Sequence, residues 1–133
     1  MRLISLLIFF ITVATGTVAQ SNNLNGTWMP VKEQIGDAEL PLAAFEKQRL
    51  TISDSTYTFV AESTDKGLLQ YSGTDKMDIY GTEGVNNGKH FTAIYKFENE
   101  ALTICYNLVG DVYPEAFDTK GKPLYLLCVF KRE

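Results

Sequence analysis

The stretch HFTAIYKFENEALTICYNL, residues 90–108, decides the fold class of this chain. Apolar and polar residues alternate through HFTAIYKF and again through ALTICYNL, and Glu98, Asn99 and Glu100 separate the two runs. A period of two with aromatic and β-branched residues is typical of half-buried strands. The stretch therefore predicts an antiparallel hairpin with one apolar face. That face carries Phe91, Ala93, Tyr95, Phe97, Leu102, Ile104, Tyr106 and Leu108.

The same alternation recurs over most of the chain after residue 20. It predicts eight strands, at residues 27–34, 48–53, 56–62, 67–73, 76–80, 90–97, 101–108 and 123–132. Most connections are short, which favours strands that pair in sequence order, and closure removes the exposed edges of an open sheet. We therefore predict an all-β fold, an eight-stranded up-and-down antiparallel barrel; the alternative is a two-sheet sandwich. The alternation lapses at 41–47, where we expect a short helical segment with Pro41 in its first turn.

The first nineteen residues have the three parts of a secretory signal peptide. Arg2 supplies the basic start, Leu3 to Val13 form the apolar run, and Thr17 and Ala19 are small residues at the recognition positions. The apolar run is shorter than the roughly 20 residues that span a bilayer, which argues against the alternative of an uncleaved anchor. We expect cleavage after Ala19 and one secreted or periplasmic domain over residues 20–133, with no stable membrane insertion after cleavage.

The only tryptophan, Trp28, lies in NLNGTWMPV, residues 23–31, two positions after Gly26. Together with Arg132 at the end of the last predicted strand, this G-x-W pattern resembles the closure of lipocalin-like barrels. The resemblance implies that the indole plugs one end of the barrel and that Arg132 lies across it in a cation–π contact. Gly26, Trp28 and Arg132 are therefore expected to close the barrel. Pro30 deletes a hydrogen-bond donor inside the first strand and predicts an edge or a bulge there.

The chain after the leader also resembles a family of uncharacterised lipocalin-like domains of exported bacterial proteins. The matching stretches are LNGTW at 24–28, MDI at 77–79, TEG at 82–84, GK at 88–89, AIY at 93–95, LTICY at 102–106, Gly110, Pro114, Phe117 and FKRE at 130–133. The resemblance implies the barrel fold and export, and it brings no established activity. The family usually has an arginine before the proline; here Tyr113 stands there, which argues against a charged site near 110–117.

The residues that carry catalytic chemistry are few. Acidic residues outnumber basic ones 16 to 12 without a basic patch, so nucleic acid and anionic membranes are poor partners. The one histidine, His90, is expected to be an exposed strand residue. Asp75 and Asp78 would point to opposite faces of a strand, and Asp78 is expected to anchor neighbouring backbone or to face solvent. EGVNNGKH, residues 83–90, lacks the glycine spacing and following helix of a phosphate loop. We expect no enzyme activity, no cofactor and no metal.

Cys105 and Cys128 lie on the last two predicted strands, where they come within one residue of facing each other. Export makes a disulfide chemically accessible. However, Cys105 falls on the face opposite Ile104 and Tyr106, whereas Cys128 shares the apolar face of its strand. The alternation therefore favours two separate small hydrophobes over a disulfide.

Two function classes remain for such a barrel. The first is binding of a small apolar or amphipathic ligand at the barrel mouth; short strands and many inward rings predict a largely filled interior with a shallow pocket near Tyr57, Tyr95 and Tyr106. The expected ligand-binding residues are Tyr57, Phe59, Tyr95 and Tyr106. The alternative is a protein-interaction module, such as an inhibitor or envelope accessory factor, that uses its loops and outer surface. Its candidate contact residues are Tyr71, Tyr80, Val85 and Tyr113.

Overall fold

A computed structural model describes residues 24–133, which form one closed antiparallel barrel. The strands are β1 (Gly26–Ile35), β2 (Ala38–Glu39), β3 (Arg49–Ser53), β4 (Thr56–Val60), β5 (Thr64–Ser72), β6 (Lys76–Glu83), β7 (His90–Glu98), β8 (Ala101–Asn107) and β9 (Tyr125–Arg132). The short β2 forms a hairpin with the end of β1, and the other eight strands pair in sequence order. Pairing of β1 with β9 closes the ring. The predicted eight-stranded up-and-down barrel is confirmed, and the sandwich alternative is wrong.

The remaining parts of the sequence-based expectation concern the termini and the connections. The helical segment expected at 41–47 is a single 3-10 turn, Leu42–Ala44. The signal peptide expected at 1–19, with its cut after Ala19, lies outside the described residues. Within residues 24–133, no helix is long and apolar enough to cross a bilayer.

A β-bulge in β1 changes which side chains face the interior. Pro30 pairs with Phe130 and Lys32 pairs with Val129, so Val31 is an extra residue in β1. A bulge shifts the alternation by one position. Trp28 and Pro30 are buried before it, and Glu33 is buried after it, in place of Lys32. Pro30 indicated this bulge in the sequence, and the bulge turns a carboxylate into the barrel.

The two ends of the barrel differ in their connections. The turns at 54–55, 73–75 and 99–100 lie at the end that contains Trp28, which we call the tryptophan end. The connections at 36–48, 61–63, 84–89 and 108–124 lie at the opposite end, which we call the loop end. The barrel is therefore capped by side chains at one end and by longer loops at the other.

The tryptophan end is closed by one cluster of contacts. Trp28 is 0% exposed, and its indole N–H donates to the Leu24 carbonyl oxygen at 2.8 Å. The guanidinium carbon of Arg132 lies 4.3 Å from the centre of the Trp28 ring, and Phe97 meets the indole edge-on at 5.9 Å. Gly26 has φ +135°, and a Cβ there would lie 2.9 Å from Arg132 Nη1. The structure thus brings Gly26, Trp28 and Arg132 together.

The two cysteines are free and lie on opposite sides of the barrel wall. In the β8–β9 register, Cys105 faces Leu127, and Ile104 faces Cys128. Cys128 therefore belongs to the interior core, whereas Cys105 points outward. The 108–124 connection covers it, since Tyr113 and Phe117 pack on the outer cluster of Ile94, Cys105 and Leu127. The disulfide alternative is wrong, because a displacement of one position puts the two thiols on different faces.

Candidate functional site

The barrel contains a cavity of about 230 Å³ that reaches from the interior core to the loop end. Its wall is mainly apolar, and its polar and phenolic members come from six different segments of the chain. The polar and phenolic side chains that line it are Glu33, Gln48, Tyr57, Asp65, Asn86 and Tyr106. The interior is thus less completely filled than the inward-facing rings had suggested.

Three of the four predicted ligand-binding residues line this cavity. Tyr57, Phe59 and Tyr106 border it, and Tyr95 does not. Tyr95 also faces inward, but it lies near the tryptophan end, where it meets Tyr71 edge-on with ring centres 5.8 Å apart. The expectation that Tyr71 is an exposed contact residue is wrong. These two rings fill the tryptophan end and leave the loop end of the interior open.

Four polar residues of the cavity, Glu33, Gln48, Asp65 and Asn86, were not predicted from the sequence, and Glu33 is the first of them along the chain. It is 5% exposed, and it faces Cys128 across the β1–β9 pair. Burial raises the pKa of the Glu33 carboxyl, and the hydrogen bond that the Cys128 thiol donates lowers it in part. Burial also raises the pKa of Cys128 well above its usual value, and the Glu33 charge adds to this effect. The Pro30 bulge was the signal in the sequence that could have placed Glu33 inside.

Two tyrosines connect the Glu33 side of the cavity with Asp65. Burial raises the pKa of Tyr106 well above its usual value, and the charges of Cys128, Glu33 and Tyr57 contribute. Burial likewise raises the pKa of Tyr57, with a further contribution from Asp65. These side chains are therefore close enough to act on one another electrostatically. The cavity has a polar band across an otherwise apolar wall.

The 84–89 connection covers the Asp65 side of the cavity. Asp65 is 5% exposed and accepts hydrogen bonds from Asn86, at 3.3 Å from the backbone nitrogen and 3.5 Å from Nδ2. Asn86 is half-buried and itself lines the cavity. The stretch at residues 83–90, which lacks the features of a phosphate loop, thus donates hydrogen bonds to a carboxylate and helps to close the loop end.

A second polar cluster, on the outer wall, joins Asp78, His90 and Tyr113. His90 Nε2 lies 2.6 Å from Asp78 Oδ1, and the Tyr113 hydroxyl donates to Asp78 Oδ2. His90 is half-buried and stacks on Tyr80 with ring centres 4.5 Å apart. The expectations that His90 is merely exposed, that Asp78 anchors backbone or faces solvent, and that no charged site lies near 110–117 are wrong. The 108–124 connection folds back over β6 and β7, which local sequence patterns do not reveal.

Loss of the Asp78 carboxylate should weaken the attachment of the 108–124 connection to the barrel. We expect Asp78→Ala to lower the free energy of unfolding by about 2–3 kcal/mol, because two hydrogen bonds to a mostly buried charged group are lost. Urea unfolding followed by far-UV circular dichroism measures this. Asp75→Ala, at an exposed turn, is the control and should change stability by less than about 0.5 kcal/mol. Equal effects of the two substitutions would contradict the anchoring role of Asp78.

The cavity and the outer-wall cluster differ in what they can do chemically. The cavity encloses volume and offers hydrogen-bond acceptors, whereas the side chains of the outer-wall cluster are satisfied by one another and by Asp111, whose Oδ1 lies 3.7 Å from His90 Nδ1. Within residues 24–133, no group of three or more His, Cys, Asp or Glu side chains is placed to hold a metal ion. The cavity is therefore the candidate site. Comparisons of the chain with protein-family models, with curated proteins and with solved structures found no significant match.

Proposed function

We propose that this protein is an exported, lipocalin-like barrel that binds a small amphipathic molecule through its loop end and catalyses no reaction. The observation that carries the proposal is the cavity of about 230 Å³, whose apolar wall is crossed by a polar band. Sites for drug-sized ligands occupy roughly 300–1,000 Å³, so the ligand is smaller than these. Tyr57, Phe59 and Tyr106 supply ring faces to it.

The lipocalin-like character is supported by the way the barrel is closed. The Trp28 indole, the Arg132 guanidinium and the β1–β9 pairing occur together at one end, as the resemblance in the sequence implied. The longer connections lie at the other end, where a ligand can enter. Export, to the periplasm or the exterior, is proposed from the residue pattern at 1–19.

Ligand binding can be tested by filling the cavity. We expect 2-phenylethanol to bind the protein one-to-one, because its size and its single polar group match the cavity. Leu126→Trp should abolish binding, since Leu126 lines the cavity and the indole would occupy it. Leu124→Trp should leave binding unchanged, because Leu124 is exposed and outside the cavity lining. Saturation-transfer NMR measures binding, and circular dichroism verifies that both variants are folded.

A long-chain fluorescent fatty acid should fail to bind at saturable stoichiometry, because the cavity is too small for its chain. Tight one-to-one binding of that probe would contradict the small-ligand proposal and indicate a lipid carrier. If the Leu126→Trp variant still bound 2-phenylethanol, the binding site would lie elsewhere on the molecule.

One observation favours protein interaction as a second candidate function. Several large apolar side chains on the loop-end connections are exposed, with Val85 at 68% and Val112 at 67%. Leu42, Val109 and Leu124 extend this set over three of the four connections. Exposed apolar residues that gather at one end of a small domain are typical of a contact surface. Substitution of Val85 and Val112 by serine should disturb such a contact while the cavity still binds its ligand.

A further inference from the structure

The cavity lining contains acidic side chains and no basic ones. Two carboxylates, Glu33 and Asp65, belong to its lining, and none of the lining residues is Lys, Arg or His. Asp65 already has hydrogen-bond donors in Asn86. Glu33 differs, since its donor within residues 24–133 is the thiol of Cys128. A thiol is a weak donor, while a carboxylate has about four acceptor positions. Glu33 therefore presents acceptor capacity to the cavity.

A second acceptor borders the same cavity, and this one has no donor among the described residues. Gln48 Oε1 is buried and has no hydrogen-bond partner within residues 24–133. Gln48 immediately precedes β3, the strand that pairs with β1, and Glu33 lies on β1. The segment before β3 and the neighbouring strand β1 thus contribute an amide oxygen and a carboxylate to the lining of the same cavity. A buried acceptor without a donor is costly, and a ligand that brings donors removes that cost.

Aromatic rings form much of the remaining wall. Tyr57, Phe59, Phe91 and Tyr106 all line the cavity. The faces of aromatic rings attract cations, and the attraction grows where water is excluded. Ring faces, a carboxylate and an unpaired carbonyl oxygen share a preference for a positively charged donor over a neutral or an anionic one.

We propose that the cavity selects a small organic cation, a primary amine on an apolar body, whose ammonium group is held by Glu33 and Gln48 Oε1. This inference rests on the proposed ligand-binding function and names the ligand class. The ammonium group donates three hydrogen bonds and neutralises the buried carboxylate. The apolar body lies against the ring faces.

Proton linkage gives the inference a distinctive signature. Because burial raises the pKa of Glu33, the free protein holds a proton there to a higher pH than an exposed carboxyl does. A bound ammonium favours the ionised carboxylate, so amine binding releases that proton. Amine affinity should therefore rise as the pH rises through the Glu33 pKa. The groups that face Glu33 are Cys128 and Tyr106, whose raised pKa values keep them neutral over this range, and Asp65 lies on the same cavity.

The test uses three probes with one phenyl ring and different charge: 2-phenylethylamine, 2-phenylethanol and 3-phenylpropionate. Isothermal titration calorimetry with the folded protein should show that the amine binds at least about tenfold more tightly than the alcohol, and the carboxylate least tightly. Glu33→Gln should remove the advantage of the amine and the pH dependence while the alcohol still binds. This variant should fold, because it replaces a buried ionisable group with a neutral one of the same shape. Glu39→Gln, at an exposed position on β2, is the matched control and should behave as the parent protein.

The outcomes separate the two proposals. If the alcohol binds in the cavity as tightly as the amine, selection of a cation is overturned and the ligand-binding function stands. If Glu33→Gln keeps the preference for the amine, the assignment of Glu33 is overturned. If none of the three probes binds, both the cation inference and the proposed function are overturned.

Discussion

Trp28→Ala should lower the free energy of unfolding by about 3–5 kcal/mol, the largest effect that we expect from any single truncation. The indole is fully buried and packs against Phe97, and its N–H donates to the Leu24 carbonyl oxygen. Its removal would leave a cavity at the tryptophan end and an acceptor without its donor. Urea unfolding followed by circular dichroism measures the loss, and the folded parent protein should show a blue-shifted tryptophan emission.

Two companion variants separate burial from charge at this end. Arg132→Ala should cost less, about 1–2 kcal/mol, because the cation–π contact and a 2.5 Å hydrogen bond to the Asn25 carbonyl oxygen are lost while the indole stays buried. Met29→Ala, at a half-buried position on the other face of β1, should cost less than about 1 kcal/mol. A neutral Trp28→Ala, or an emission maximum of fully solvated tryptophan, would contradict closure by the indole.

Gly67→Ala should lower the free energy of unfolding by about 2–3 kcal/mol, as much as Asp78→Ala and less than only Trp28→Ala. A Cβ at Gly67 would lie 2.1 Å from the carbonyl oxygen of Tyr80 and 2.6 Å from the ring of Tyr57. The usual preference for alanine over glycine inside a strand, about 0.5–1 kcal/mol, has the opposite sign. The direction of the measured change therefore tells whether the Tyr57 ring lies over the bare backbone of β5.

The same variant provides a second readout at the cavity. Displacement of the Tyr57 ring would push it into the cavity that it lines, so Gly67→Ala should also weaken binding of 2-phenylethanol. Gln70→Ala, exposed on the same strand, should change neither stability nor binding noticeably. A Gly67→Ala variant as stable as the parent protein would show that β5 and Tyr57 can separate without cost.

The strands were readable from the sequence because their signal is local. Alternation with a period of two identified all eight barrel strands, and β7 ends within one residue of its predicted limit. β6 is longer than predicted, since it runs to Glu83. It pairs with Lys66 across a bulge there, beyond the point at which its own pattern of residues ends. A strand continues where its partner continues, and the residues of β6 do not by themselves show how far β5 extends.

Only some of the residues that line the cavity could be predicted from the sequence. Tyr57, Phe59 and Tyr106 were predicted, because a side chain's face follows from its place in the alternation. Tyr95 shares that face but not that depth in the barrel. The position of a side chain along the barrel axis depends on the stagger of the strands around the barrel. That stagger is set when the barrel closes, and the residues of a single strand do not determine it.

The sequence by itself determined the strands, their order and the separation of the two cysteines, because each depends on residues close in the chain or on simple alternation. The closure at Trp28 joins distant residues, and it was expected from the resemblance to lipocalin-like barrels. Only the tertiary structure decided that Glu33 faces the interior and that Tyr113 reaches Asp78. The first required the bulge that displaces β1 by one residue against β9, and the second required a long connection to fold over the outer wall. Both contacts join segments far apart in the chain, and their positions are set by closure of the barrel and by burial of apolar surface.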